Sequence, residues 1–98
     1  MYLVEFLLAK PPTAPEASES ATLSALRSAS LPGDGVEHIR LHMSRAGARG
    51  VFFCLAPDPV HAMARVDAVC RRALETCPAL RGWQTVRIAR AADVHGAV

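Results

Sequence analysis

The chemistry this sequence offers most openly lies in five residues, His38-Ile39-Arg40-Leu41-His42. Histidine is the side chain whose ordinary pKa lies nearest neutrality, so His38 or His42 can trade a proton with a ligand. Arg40 between them can hold an anionic oxygen. Metal binding is the other chemistry such a pair suggests. On a helix the four-residue spacing puts both rings on one face, but metal-dependent hydrolases need glutamate directly after the first histidine. Here Glu37 precedes it. In a strand the two rings stand about 13 Å apart, too far to share an ion. No metal site and no cofactor are expected. If the protein is not an enzyme, the same residues are polar positions on an edge strand.

The three cysteines, Cys54, Cys70 and Cys77, are an odd set without a CxxC pair. They suggest neither a disulfide framework nor a zinc site. Cys70 and Cys77 fall two turns apart on one expected helix, about 10 Å along its axis, too far for a bridge. Cys54 has only apolar neighbours in sequence and reads as a buried thiol rather than a nucleophile. Reduced thiols fit a cytoplasmic setting. Tyr2 to Ala9 is apolar but interrupted by Glu5, with no basic stretch before it, so it reads as a strand rather than a signal or a membrane span.

These residues need elements to position them. The 98 residues suit a single core, with 51% hydrophobic and 20% charged residues and a net charge of +2 too small to imply a polyanionic partner. Tyr2–Ala9 is a first strand, closed by Lys10-Pro11-Pro12. Thr13 stands three residues before Glu16, the spacing of a capping box, which starts a first helix at Glu16 that runs to about Ser30. Leu23, Leu26 and Ala29 share its apolar face. Gly33-Asp34-Gly35 lies in a turn and is too short for a phosphate loop.

Val36 to Met43 alternates, with Ile39, Leu41 and Met43 on one side and His38, Arg40 and His42 on the other. Ser44 to Gly50 reads as a hairpin loop whose tip carries Arg45 and Arg49, and Val51–Ala56 as a continuously apolar inner strand. Asp58-Pro59 caps a second helix with a stripe through Met63, Val66, Cys70, Ala73, Leu74 and Cys77. His61 is a solvated residue of its first turn, and Asp67 and Arg71 pair on its outer side. Pro78 ends it. Trp83 to Ala89 is a fourth strand, with Val86 and Ile88 facing one way and Thr85 and Arg87 the other. Residues 91–98 lack periodicity and read as a flexible tail on a single domain of residues 1–90.

Strand–helix–strand–strand–helix–strand is an α+β order. Right-handed crossovers put strands one and three in the middle of a four-stranded antiparallel sheet, with both helices on one face. The other face is open. Its expected residues are Leu3, Glu5 and Leu7 on strand one, His38, Arg40 and His42 on strand two, and Trp83, Thr85 and Arg87 on strand four. Strand three is apolar throughout, so either Phe52 and Cys54 or Val51 and Phe53 face outward. A mixed apolar face of this kind marks an interface or a ligand site.

Over Tyr2 to Ala89 this order resembles the ferredoxin-like superfamily. The small size and mixed open face are similar to its dimeric α/β-barrel members: muconolactone isomerases, antibiotic-biosynthesis monooxygenases and polyketide cyclases. The opening Met1-Tyr2-Leu3-Val4-Glu5-Phe6 is similar in style to the isomerases. The resemblance implies a homodimer packed sheet to sheet around a small hydrophobic ligand. Glu5, Trp83, Thr85, Arg87 and Phe52 are then the expected ligand contacts.

The function expected first is a small homodimeric ligand-binding or accessory protein. The alternative is a dimeric-barrel cyclase, isomerase or cofactor-free monooxygenase acting on a carbonyl-bearing metabolite. In that enzyme His38 or His42 is the acid–base group, Arg40 or Arg87 holds the oxyanion and Trp83 forms a wall. A third reading comes from Arg49-Gly50-Val51-Phe52-Phe53-Cys54-Leu55-Ala56, which partly resembles the RNA-recognition octapeptide. Only Phe53 of its three aromatics is kept, although Tyr2 can imitate the strand-one ring, so nucleic acid is not the expected partner.

Overall fold

Strands form where the apolar runs lie, and helices where apolar residues recur every three or four positions. The computed structural model describes residues 1–91. Its elements are strand Tyr2–Ala9 (β1), helix Glu19–Ala29 (α1), strands Val36–Ser44 (β2) and Gly47–Cys54 (β3), helix Pro59–Thr76 (α2) and strand Gln84–Arg90 (β4). Short 3-10 turns, Pro32–Asp34 and Pro78–Leu80, precede β2 and β4. The sheet order is β2-β3-β1-β4 with every pair antiparallel. This is the ferredoxin-like βαββαβ topology, an α+β fold with β1 and β3 in the middle.

One face of the sheet is sealed by the helices. Val4, Phe6 and Leu8 of β1, Ile39 of β2, and Ala48, Phe52 and Cys54 of β3 are buried against Leu26 and Ala29 of α1 and Val66, Val69, Cys70 and Ala73 of α2. The Phe6 and Phe52 rings meet edge to face, 5.0 Å between centroids at 70°, a favoured aromatic geometry at the centre of the core.

Polar anchors fix the layers. Arg72 of α2 donates from Nε to the Ala29 carbonyl at 3.0 Å and pairs its guanidinium with Asp34, whose carboxylate also accepts from the Leu31 N–H. One side chain thus ties α2 to the end of α1 and to the turn before β2. Asp58 caps α2, its Oδ1 accepting from the His61 N–H at 2.8 Å. That backbone bond, followed by one from the His61 ring, holds the Asp58 carboxyl below its ordinary pKa. Arg71 pairs with Asp67 on the outer side of α2 as expected.

The first helix starts later than the capping-box spacing indicates. Ser18, not Thr13, is its cap, with Oγ accepting from Ala21 N at 3.0 Å and the Ser18 carbonyl accepting from Thr22 N. Both sites have sound cap chemistry, and tertiary packing decides between them. Residues 10–18 are used to climb from the sheet to the helix layer, a path on which Lys10 Nζ donates to the Ala14 carbonyl at 2.8 Å. The hairpin is also tighter than expected: β3 begins at Gly47, leaving only Arg45 and Ala46 as the turn between Ser44 and Gly47. At the other end Ala91, expected to begin the tail, still donates to the Leu3 carbonyl at 2.8 Å. The rest of that tail lies outside the described residues.

The thiols are free. Cys54 and Cys70 are buried and Cys77 is half-buried. Burial, with a smaller push from Asp67, raises the Cys70 thiol to about 12. Burial also raises Cys54, although Arg65 pulls the other way. One thiol per chain, Cys77, is therefore expected to react quickly with a thiol reagent at pH 8, and three after denaturation. Two or three fast thiols in the native protein would contradict the burial of Cys54 and Cys70.

Candidate functional site

The alternation of β1 that buries Val4, Phe6 and Leu8 turns Leu3, Glu5 and Leu7 to the uncovered face. Strand register then sets their neighbours. Leu3 stands beside Phe53 of β3, which stands beside His38 of β2. In the next row Glu5 lies between Ala89 and Val51, with Arg40 beyond Val51. In the last row Leu7 lies between Arg87 and Arg49, with His42 beyond Arg49. His38, Arg40, His42, Arg49 and Arg87 are exposed, whereas Leu3, Glu5, Val51 and Phe53 are half-buried.

The phase of β3 is thereby settled: Val51 and Phe53 face outward. Phe52, expected among the ligand contacts, is completely buried beneath the helices. The apolar run gave no alternation to read, but the neighbouring register does, because Phe52 pairs with buried Val4 and Ile39.

Strand β4 corrects two further expectations. Leu7 pairs with Arg87 but Leu8 pairs with Thr85, so Val86 is an extra, bulged residue. A bulge shifts the side-chain phase by one. Arg87 is on the open face as expected, but Thr85 turns to the helix side, in a cleft shared with Asp67, Arg71 and Leu74 of α2. Ile88 faces the core as expected, whereas Val86 is 57% exposed instead of turning inward with it. Trp83 lies before β4 and is buried in the core, so it forms no wall of the open face. Its indole N–H has no hydrogen-bond partner among the described residues.

A cleft of about 500 Å³ opens on this face over Glu5, Leu7, Arg40, His42, Arg49, Val51 and Arg87. The sequence puts Arg49 beside a hairpin tip, and the short turn brings it onto the sheet. Arg40 lies over the Phe53 ring, 5.9 Å from its centroid, and His38 meets the same ring edge-on at 5.3 Å. His38 and His42 sit at opposite ends of the face. They are too far apart to act together on one reacting atom.

Three arginines against one glutamate give this face an excess of two positive charges. Neither Glu5 nor Arg49 nor Arg87 forms an ion pair or a side-chain hydrogen bond among the described residues. Phe53 is the one phenyl ring on this face, beside the His38 imidazole. Tyr2 pairs with buried Cys54 and turns to the helix side, where Arg90 lies over it.

Together the βαββαβ order and the uncovered, basic-rimmed sheet face define a ferredoxin-like α+β domain with a candidate binding surface on its sheet. Comparison with protein-family models, with curated proteins and with solved structures gives no match to this chain. Among the described residues no helix is long and apolar enough to cross a membrane.

Proposed function

We propose that the protein acts through the uncovered face of its sheet, as a homodimeric small-molecule-binding or accessory protein whose two sheets close over a shared cavity. One observation carries the reading. Half-buried Glu5 sits among Leu3, Leu7, Val51 and Phe53, within a ring of arginines, and has no ion-pair partner within the described chain.

Such a face is complementary to itself. A two-fold axis brings the glutamate of one copy toward Arg40 of the other, while the leucine, valine and phenylalanine side chains leave water together. Association of this kind removes an apolar patch that an isolated domain would expose. Arg49 and Arg87, in the end row, stay at the rim, where they can meet a ligand entering between the sheets.

Native mass spectrometry tests this directly. A dimer is expected for the wild-type chain, and Leu7→Lys, which adds a third cation beside Arg49 and Arg87 where the sheets meet, is expected to give a folded monomer. A monomeric wild-type protein, or a dimer indifferent to Leu7→Lys, would overturn the reading.

A further inference from the structure

Arg49 and Arg87 are the nearest cross-strand neighbours of Leu7, one on each side of it. Strand spacing sets their Cα atoms about 10 Å apart, so two long side chains rise from opposite sides of an exposed leucine. Like charges so placed repel, and among the described residues neither is neutralised by a carboxylate. Arg40, the third cation of the face, is already engaged with Phe53. The floor leading away from the pair along β3 is apolar, through Val51 to Phe53. It runs for about 13 Å, four residues of strand.

We propose that Arg49 and Arg87 form an anion clamp for the carboxylate of an amphipathic acid, whose apolar body lies along Val51 and Phe53. The inference rests on the reading of the open face as the binding surface and names the ligand class for it. Guanidinium groups match a carboxylate in geometry, and each can donate two hydrogen bonds to it. Glu5, in the next row, opposes a ligand charged along its length and so favours one with a single anionic end. A polyanion such as nucleic acid fits poorly, because the excess is only two charges.

Titration calorimetry with sodium decanoate tests the clamp, with decyltrimethylammonium and inorganic phosphate as the two partial ligands. Decanoate is expected to bind at least tenfold more tightly than either. Arg49→Gln and Arg87→Gln are each expected to weaken it at least tenfold with unchanged melting temperatures, while exposed Arg81→Gln leaves it unaltered. Equal binding of the cation, equal binding of phosphate, or indifference to both arginine substitutions would overturn the clamp. The oligomeric state keeps the two proposals apart. A dimer that does not bind decanoate removes the clamp and leaves the dimeric reading. A monomer that binds decanoate through Arg49 and Arg87 does the reverse.

Discussion

Phe52→Ala is expected to cost about 3–5 kcal/mol of folding stability, and Phe53→Ala less than half as much. The two residues are adjacent, alike in type and in the same strand. They differ only in the face to which the pleat directs them. Phe52 is fully buried, edge to face with Phe6 and beneath both helices, so its removal leaves a cavity the close-packed layers cannot fill by relaxing. Phe53 is half-exposed against His38 and Arg40, and water can take its place. A domain of this size has about 5–15 kcal/mol to lose, so the Phe52 variant is expected to be partly unfolded in mild urea. Urea titration of both variants decides the matter. Similar losses, or a larger one at Phe53, would mean that β3 has the opposite phase.

The second large effect is expected at Gly50, where alanine should destabilise by about 1–3 kcal/mol or more. A Cβ there would lie 1.9 Å from the Arg40 carbonyl oxygen and 2.8 Å from the Phe6 ring. The ring can shift, but the oxygen belongs to the ladder between β2 and β3. Relief therefore requires the two strands to move apart. Phe6 pairs with Gly50 across the sheet and occupies the space a side chain would take. Gly33→Ala is the matching control, because nothing lies within 4 Å of its added Cβ. It should be neutral or stabilising by up to about 1 kcal/mol, through loss of freedom in the unfolded chain. Equal midpoints for the two alanine variants would show that β2 and β3 tolerate the intrusion.

These two positions also show where sequence reasoning succeeds and where it stops. Ile39 and the flanking His38, Arg40 and His42 announce β2 because one face is wet and the other dry. The α2 stripe is legible for a similar reason, since Asp58-Pro59 and Pro78 bracket a clear three-to-four periodicity. Phe52 and Phe53 carry no such contrast, and only pairing with β1 tells them apart. Alternation counted back from Arg87 puts Thr85 and Trp83 on the open face, and one bulged residue, Val86, reverses the count. Nothing in the local sequence announces that bulge. The weight of Trp83 as a large apolar side chain was the available hint that it is buried. Arg49 is hard to place from sequence because residues 44–50 have loop composition, although only Arg45 and Ala46 form the turn. Arg72 and Asp34 are 38 residues apart, and only the packed fold brings them together.

Both outer strands of the sheet carry an interruption: Val86 in β4, and Glu37 between Val36 and His38 in β2. An outer strand with an even row of unpaired amides is an invitation to another chain, and successive additions build fibrils. A newcomer aligning with β2 meets a break in spacing at Glu37, and one aligning with β4 meets it at Val86, each beside charged side chains. Growth sideways is thereby discouraged at both margins. The face-to-face pairing proposed above would instead close on itself after two copies.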